Sequence, residues 1–182
     1  MKIAGLRPLA SRRHGEGFAA ATVLFAIGLF VLLGTVTMAT SRSNAKARQF
    51  QETKDQIVAQ AELVFSTLVL CRTIYPAADN GTGFHKAYPA TPAAPGLVSA
   101  LVCPGQPGQS IWSGDARAMS PRLLPGFGAW TYVNDAASVR IQLVASNAGV
   151  TFYQDLLDAV VARTGAGVAS RSGDSLTFTL FN

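Results

Sequence analysis

The feature that most constrains this chain is a run of 23 residues, Phe18 to Thr40, without one charged side chain. An uncharged stretch of about 18 residues or more is long enough to cross a membrane as a helix. The run accounts for much of the low charged fraction of the chain, 14%, against about a quarter in ordinary soluble domains. The remaining residues are moderately polar and can still bury the core of one globular domain of modest size.

The net charge of +5 is concentrated in front of the apolar run. Without residues 1–17 the chain keeps 11 basic and 9 acidic residues, a net charge of +2. The charged residues of that N-terminal tail are Lys2, Arg7, Arg12, Arg13 and Glu16. A nucleic-acid-binding face needs clustered basic residues interleaved with aromatic ones, so the sequence predicts no nucleic-acid partner.

The apolar run has three interpretations, and all of them place the rest of the chain beyond the membrane. A secretory signal peptide would be cleaved after the small residues that end at Ala39, although its apolar core usually spans only about 7–15 residues. A signal anchor would keep the basic tail inside, but Arg42, Lys46 and Arg48 lie just after the run and weaken the charge contrast. The third interpretation depends on the residues after Thr40.

The run continues into a segment with the pattern of an amphipathic helix. No proline or glycine occurs from Ser41 until Pro76, and helix-forming residues are frequent. Apolar residues recur at steps of 7, 4, 3 and 4, which places them on one helical face: Phe50, Ile57, Ala61, Val64 and Leu68. The opposite side is predicted to hold Gln51, Lys54, Asp55 and Gln60. One helix is therefore predicted from the apolar run to a point near Cys71.

The junction RRHGEG (12–17) followed by Phe18 resembles the N-terminus of type IV pilins and of the pseudopilins of type II secretion. That family has a short basic leader ending in glycine, phenylalanine as the first mature residue and then an apolar helix. The resemblance implies that a prepilin peptidase cleaves between Gly17 and Phe18 and methylates the new amino group. It also implies an inner-membrane location before assembly and other pilin-like subunits as partners.

Thr22 departs from the family pattern. It occupies the fifth mature position, where the family usually carries a glutamate thought to pair with the N-terminal amine of a neighbouring subunit. Glu16 cannot replace that acid, because it would leave with the leader. A few relatives also lack the glutamate, including a minor pseudopilin thought to lie at a filament tip. The departure indicates a minor or tip subunit, or an ordinary subunit that tolerates a neutral threonine.

Residues 72–110 have the composition of a long irregular loop. They contain six of the nine prolines and five glycines, which excludes long helices. A loop of this length in a compact domain is unusual unless it is tied down. Cys71 and Cys103 lie after the apolar run, so a disulfide between them is expected outside the cytoplasm, the alternative being two buried free thiols. The spacing is not CxxC, which makes the expected bridge structural and not redox-active.

The last third of the chain has strand patterns. Residues 129–134 and 138–145 are short strand candidates, and in the second Val139, Ile141 and Leu143 alternate with Arg140 and Gln142, as in a half-buried antiparallel sheet. Residues 167–181 predict a hairpin that turns around Ser172-Gly173-Asp174. A helix is predicted at 152–164, with Gly165 as its C-terminal cap.

These elements predict an α+β fold in which three or four antiparallel strands pack on the helix of residues 50–70, as in a pilin-like head. The predicted organisation is a leader, a transmembrane and filament-core helix, its amphipathic continuation, a Pro/Gly-rich region, and a sheet with one helix, at 1–17, 18–40, 41–71, 72–123 and 124–182.

No pattern in the sequence supports catalysis. The two histidines are His14, in the tail, and His85, in the Pro/Gly-rich loop, so no metal site or cofactor is predicted. Ser110 lacks the final glycine of a nucleophile elbow. Asp155 and Asp158 lie near the start of the predicted helix, where acidic side chains interact favourably with the helix dipole, so they need no catalytic role. Four aromatic residues are expected in the core, with a sugar- or surface-binding patch as the alternative: Trp112, Phe127, Trp130 and Tyr132.

The sequence therefore favours a structural, pilin-like subunit of a type IV pilus or secretion pseudopilus, found first in a bacterial inner membrane and then in a periplasmic or extracellular filament. The alternative is a signal-anchored or secreted periplasmic protein whose head binds a ligand and which joins no filament. Which filament the chain enters, and what the head or its loop binds, is left open by the sequence.

Overall fold

The computed structural model describes the backbone of residues 16–113 and 119–181 and the side chains of 43–113 and 119–180. The chain divides into two compact units, Met1–Arg48 and Gln49–Asn182. The described residues form two helices, a short 3₁₀ helix and four strands: α1 (Glu16–Ile74), the 3₁₀ turn (Val98–Ala100), β1 (Thr131–Asn134), β2 (Val139–Val144), α2 (Thr151–Thr164), β3 (Ala169–Ser172) and β4 (Ser175–Phe181).

The helix α1 is continuous over 59 residues. The helical continuation predicted after Ser41 is confirmed, and it ends at Ile74. Because Pro76 disfavours helical dihedrals at the residue before it, the helix cannot extend past this point. Among the described side chains, Ser43–Ile74 is long and apolar enough to cross a membrane. Residues of this segment are buried in the head, and the core helix of a soluble domain passes the same test.

The four strands form one antiparallel sheet in the order β1-β2-β4-β3. The predicted strands, the helix α2 and the C-terminal hairpin are confirmed within about two residues of their expected bounds. The hairpin turns at Gly173, whose φ of 59° matches the positive dihedrals that two-residue hairpin loops require. Gly165 caps α2 with a φ of 90°.

One face of the sheet forms the core of the head against α1 and α2. The predicted apolar face of α1 is confirmed, because Ile57, Ala61, Val64 and Leu68 are all buried. Phe50 is half-buried and meets Phe152 of α2 edge to face, with ring centroids 5.8 Å apart. The sheet and α2 contribute further fully buried side chains to this core: Tyr132, Ile141, Leu143, Leu156, Leu157, Val160 and Leu176.

The Pro/Gly-rich loop lies along the outer edge of β1. The backbone N–H of Val98 donates to the Trp130 carbonyl at 2.9 Å, and that of Tyr132 donates to the Gly96 carbonyl at 2.7 Å. Gly96 has a φ of +67°, and a Cβ there would meet the Tyr132 carbonyl at 3.2 Å, so only glycine suits this approach. The loop thus satisfies an edge that would otherwise be open to other strands.

One prediction for α1 is wrong. Gln60 was expected on the solvent side, but it is half-buried, and its Oε1 accepts a hydrogen bond from Trp130 Nε1 at 2.7 Å. The position lies at the border of the buried face, where a long polar side chain can reach the indole N–H of a core tryptophan. A buried indole N–H normally has such a partner.

Candidate functional site

The predicted disulfide between Cys71 and Cys103 is confirmed. The two Cα atoms are 5.8 Å apart, the sequence separation is 32 residues, and both cysteines are buried. The bridge joins the last turns of α1 to the far end of the loop. Beside it, Gly105 lies so close to the ring of Tyr75 that a Cβ would approach the ring to 2.2 Å. The bridge therefore fixes the loop on the end of α1.

The predicted processing junction lies at the start of α1. Gly17, Phe18 and Thr22 fall within the helix bounds, but their side chains lie outside the described residues. The cleavage between Gly17 and Phe18 and the role of Thr22 stay predictions. The sequence around them carries no charge from Phe18 to Thr40.

A second apolar stripe runs along the outward side of α1 near its end. Leu63, Leu70 and Ile74 are separated by seven and four residues, which places them on one side of the helix, beside the buried face. Leu70 and Ile74 are each 56% exposed. In the described part of the chain this stripe is not buried, although α1 already packs its other face into the head.

Four acidic residues of the described head form ion pairs on its surface: Asp55, Asp79, Asp135 and Asp158. Asp158 does not form a pair with Asp155; it accepts two bonds from Arg171, at 2.5 Å to Nε and 3.0 Å to Nη2. These bonds raise the pKa of the Arg171 guanidinium. The described residues contain no group of three or more His, Cys, Asp or Glu that could hold a metal ion.

The aromatic residues predicted for the core lie there. Phe127, Trp130 and Tyr132 are buried, while Trp112 is half-buried and its Nε1 donates to the Val98 carbonyl at 2.8 Å. These four side chains therefore do not form an exposed sugar-binding platform. The hydroxyl of Tyr132 donates to the Pro89 carbonyl at 2.9 Å, and burial raises the pKa of this phenol.

Ser110 and His85, considered for catalysis in the sequence, occupy turns. Ser110 Oγ accepts the backbone N–H of Trp112 at 3.3 Å, and its carbonyl accepts the hydroxyl of Ser113 at 2.6 Å. His85 is half-buried in the loop, and its carbonyl accepts the backbone N–H of Tyr88 at 2.8 Å. The structure places these two residues in separate parts of the loop and assigns them local backbone contacts.

Sequence reasoning missed a basic pocket formed by the end of α1 and the loop. Arg72 of α1 contacts Tyr88, which lies 16 residues later, and Lys86 lines the same pocket. No periodic pattern or short motif marks this pair, because the loop that brings Tyr88 back to the helix is irregular. The sequence offered only an arginine and a tyrosine within the segment bounded by the two cysteines.

Comparisons with protein-family models, with curated proteins and with solved structures give no match to this chain.

Proposed function

We propose that the chain is a structural subunit, minor or at the tip, of a type IV pilus or a secretion pseudopilus. The observation that carries the proposal is the continuity of α1, which extends from Glu16 to Ile74. The uncharged segment and the core helix of the head therefore belong to a single helix. A head that only needed an anchor could be joined to it by a flexible linker, so a shared helix favours a subunit whose helix packs in a filament.

The proposed assembly mechanism rests on the charge pattern of α1. Residues 18–40 would be held in the inner membrane and would then pack among the helices of other subunits in the filament core. A segment without charges suits both surroundings, because an unpaired charge among packed apolar helices costs several kcal/mol. Thr22 would allow this helix to be buried without the acid that the related families pair with a neighbouring amine.

The outward stripe of α1 supports the same proposal. Leu70 and Ile74 remain more than half exposed, although α1 packs its buried face into the head. Apolar residues on both sides of an amphipathic helix are typical of one that contacts its own domain on one side and a partner on the other. In a filament, that second partner would be the head or helix of a neighbouring subunit.

The proposal is tested by blocking the processing junction in the native host. In a Gly17→Val variant the β-branched residue at the cleavage position is expected to prevent processing and to keep the chain out of sheared filaments. The matched control is Gly15→Val, two residues away in the same leader, which should be processed and incorporated. Immunoblots of the filament and inner-membrane fractions measure both outcomes.

The competing function, a ligand-binding protein outside any filament, gives a different result. It predicts that the unaltered chain is missing from the filament fraction of a host that assembles filaments, and that neither glycine variant changes its distribution. Either finding would contradict the proposal.

A further inference from the structure

Arg72 is held in a fixed position at the C-terminal end of α1. Its Nη1 donates to the hydroxyl of Tyr88 at 3.1 Å, and its guanidinium carbon lies 5.6 Å from the centroid of the same ring. Tyr88 is only 6% exposed, and its carbonyl accepts a hydrogen bond from Asn80 Nδ2 at 2.9 Å. A cation over an aromatic face is attracted by the ring, so Tyr88 orients the guanidinium.

Other arginines of the head are neutralised by ion pairs with aspartates, but Arg72 is not. Three of them form ion pairs with aspartates: Arg140 with Asp135, Arg163 with Asp55, and Arg171 with Asp158. Within the described residues, no acid forms an ion pair with Arg72. Arginine has five N–H donors, and the bond to Tyr88 uses one of them. Among the described residues nothing else accepts from the remaining donors, which can bind an acceptor from outside the chain.

A second cation lies in the same pocket. Lys86 Nζ is 2.8 Å from Asp79 Oδ2, and the other oxygen of Asp79 accepts the backbone N–H of Gly81 at 2.9 Å. Asp79 is therefore already engaged on both oxygens. The open pocket has a volume of about 280 Å³ and is lined by Arg72, Pro76, His85, Lys86, Ala87 and Tyr88.

The basic character of this pocket is local. Residues 49–182 contain eight basic and nine acidic residues, so the head as a whole has no positive excess. The pocket places the guanidinium of Arg72, the Asp79-paired ammonium of Lys86 and an aromatic ring together on a surface whose overall charge is close to neutral. Such an arrangement is suited to one anionic group and not to a long polyanion, which would require an extended basic surface.

We propose that this pocket, formed by Arg72, Lys86 and Tyr88, binds the oxyanion group of a small ligand, either a carboxylate or a phosphate. The planar fork of a guanidinium matches both groups with two parallel hydrogen bonds, and Lys86, which is paired with Asp79, adds further N–H donors. Tyr88 holds the fork in place before the ligand arrives, which reduces the entropy lost on binding. The proposal adds a ligand site to the head and does not depend on filament assembly.

Isothermal titration calorimetry of the full chain in a non-ionic detergent tests the proposal, because such a detergent brings no phosphate of its own. The probes are inorganic phosphate and malonate, each at constant ionic strength maintained with chloride. We expect saturable binding of at least one probe, with a dissociation constant on the order of 1 mM. The two titrations distinguish phosphate from carboxylate as the group that the pocket prefers.

Matched arginine variants locate the binding. Arg72→Gln is expected to weaken binding about tenfold or more, as for the loss of a hydrogen-bonded charge. Arg72→Lys keeps the positive charge at the helix end but lacks the fork, so an intermediate loss is expected. The control is Arg122→Gln, which removes an exposed arginine that does not line this pocket and should bind as the unaltered chain does.

Three results would overturn the proposal: no saturable binding of either probe, binding that Arg72→Gln leaves unchanged, or an equal loss in Arg72→Gln and Arg122→Gln. Near-ultraviolet circular dichroism of each variant establishes that the head is folded. If Arg72→Gln unfolds the head, Arg72→Lys decides the outcome. Weaker binding by Arg72→Lys than by Arg122→Gln supports the proposal, and unchanged binding by Arg72→Lys contradicts it.

Discussion

The two halves of α1 carry their apolar residues in different ways. From Phe18 to Thr40 the sequence has no charged residue at all, so no charged face marks one side of the helix. From Phe50 to Leu68 the apolar residues repeat at helical spacing, and that face is buried against the sheet. The second half obtains its burial from its own chain. Under the proposed function, the first half is buried in lipid or among other chains, so the proposal concerns the first half of α1, and the stability of the head depends on the second half.

The largest effect on stability is expected at the buried face of the second half of α1. Val64→Asp places an unpaired carboxylate in a fully buried position, so we expect the free energy of unfolding to fall by about 4 kcal/mol or more. Leu70→Asp, on the exposed outward stripe, is the matched control and should change stability by no more than about 0.5 kcal/mol. Thermal unfolding in detergent, followed by tryptophan fluorescence, measures both. Equal losses would show that the outward stripe is also part of the head's core.

The disulfide has the next largest expected effect. Changing Cys71 and Cys103 together to serine removes a cross-link with a sequence separation of 32 residues. The chain-entropy model gives a loss of about 3.7 kcal/mol for a loop of this length. Unfolding with and without a reducing agent provides the control, because the reductant should destabilise the unaltered chain and leave the serine variant unchanged. Alkylation of both cysteines without prior reduction would contradict the structural role of the bridge.

Tyr132 should make the head sensitive to alkaline pH. Because burial raises its pKa in the folded state, its contribution is complete below the ordinary tyrosine pKa of about 10 and is lost as pH rises above that value. The slope should approach about 1.4 kcal/mol per pH unit. Tyr132→Phe should remove this slope, although it leaves the Pro89 carbonyl without its hydroxyl donor. Tyr75→Phe is the control, and a slope that survives Tyr132→Phe would assign the sensitivity to another group.

The smallest effect on the head is expected from the first half of α1. Thr22→Glu should leave the unfolding of the head unchanged, because residue 22 lies outside the unit Gln49–Asn182. It should nevertheless reduce the amount or alter the position of the chain in filaments, since the new carboxylate has to be buried among packed helices. Thr22→Val, which adds no charge, is the control. If Thr22→Glu destabilised the head, the two halves of α1 would not be independent. If it left the assembly of the chain and its position in filaments unchanged, the tip hypothesis would be contradicted.

The sequence predicted the regular elements of the head because their signals are local. Alternation in β2, helical spacing in α1 and α2, and the Gly173 turn each depend on residues a few positions apart. The contact between Gln60 and Trp130 was missed, because it joins residues 70 positions apart and depends on one rotamer at the border of a face. The Cys71–Cys103 pairing was predictable only because there were two cysteines to pair.

The course of the loop could not be predicted for a related reason. Proline and glycine exclude helix and strand, but they do not say which part of the loop will pair with β1 or which will return to α1. The pairing of Gly96 with Tyr132 and the contact of Tyr88 with Arg72 are set by tertiary packing. The basic pocket therefore became visible only in the folded chain.

The N-terminus of the chain isolated from its native host tests the central proposal most directly. Intact-mass and peptide mass spectrometry should find a mature chain that begins at Phe18, lacks residues 1–17 and carries a methyl group on its amino terminus. A chain that retains Met1, or one that is cleaved after Ala39 instead of Gly17, would contradict the assignment of this helix to a pilin-like subunit.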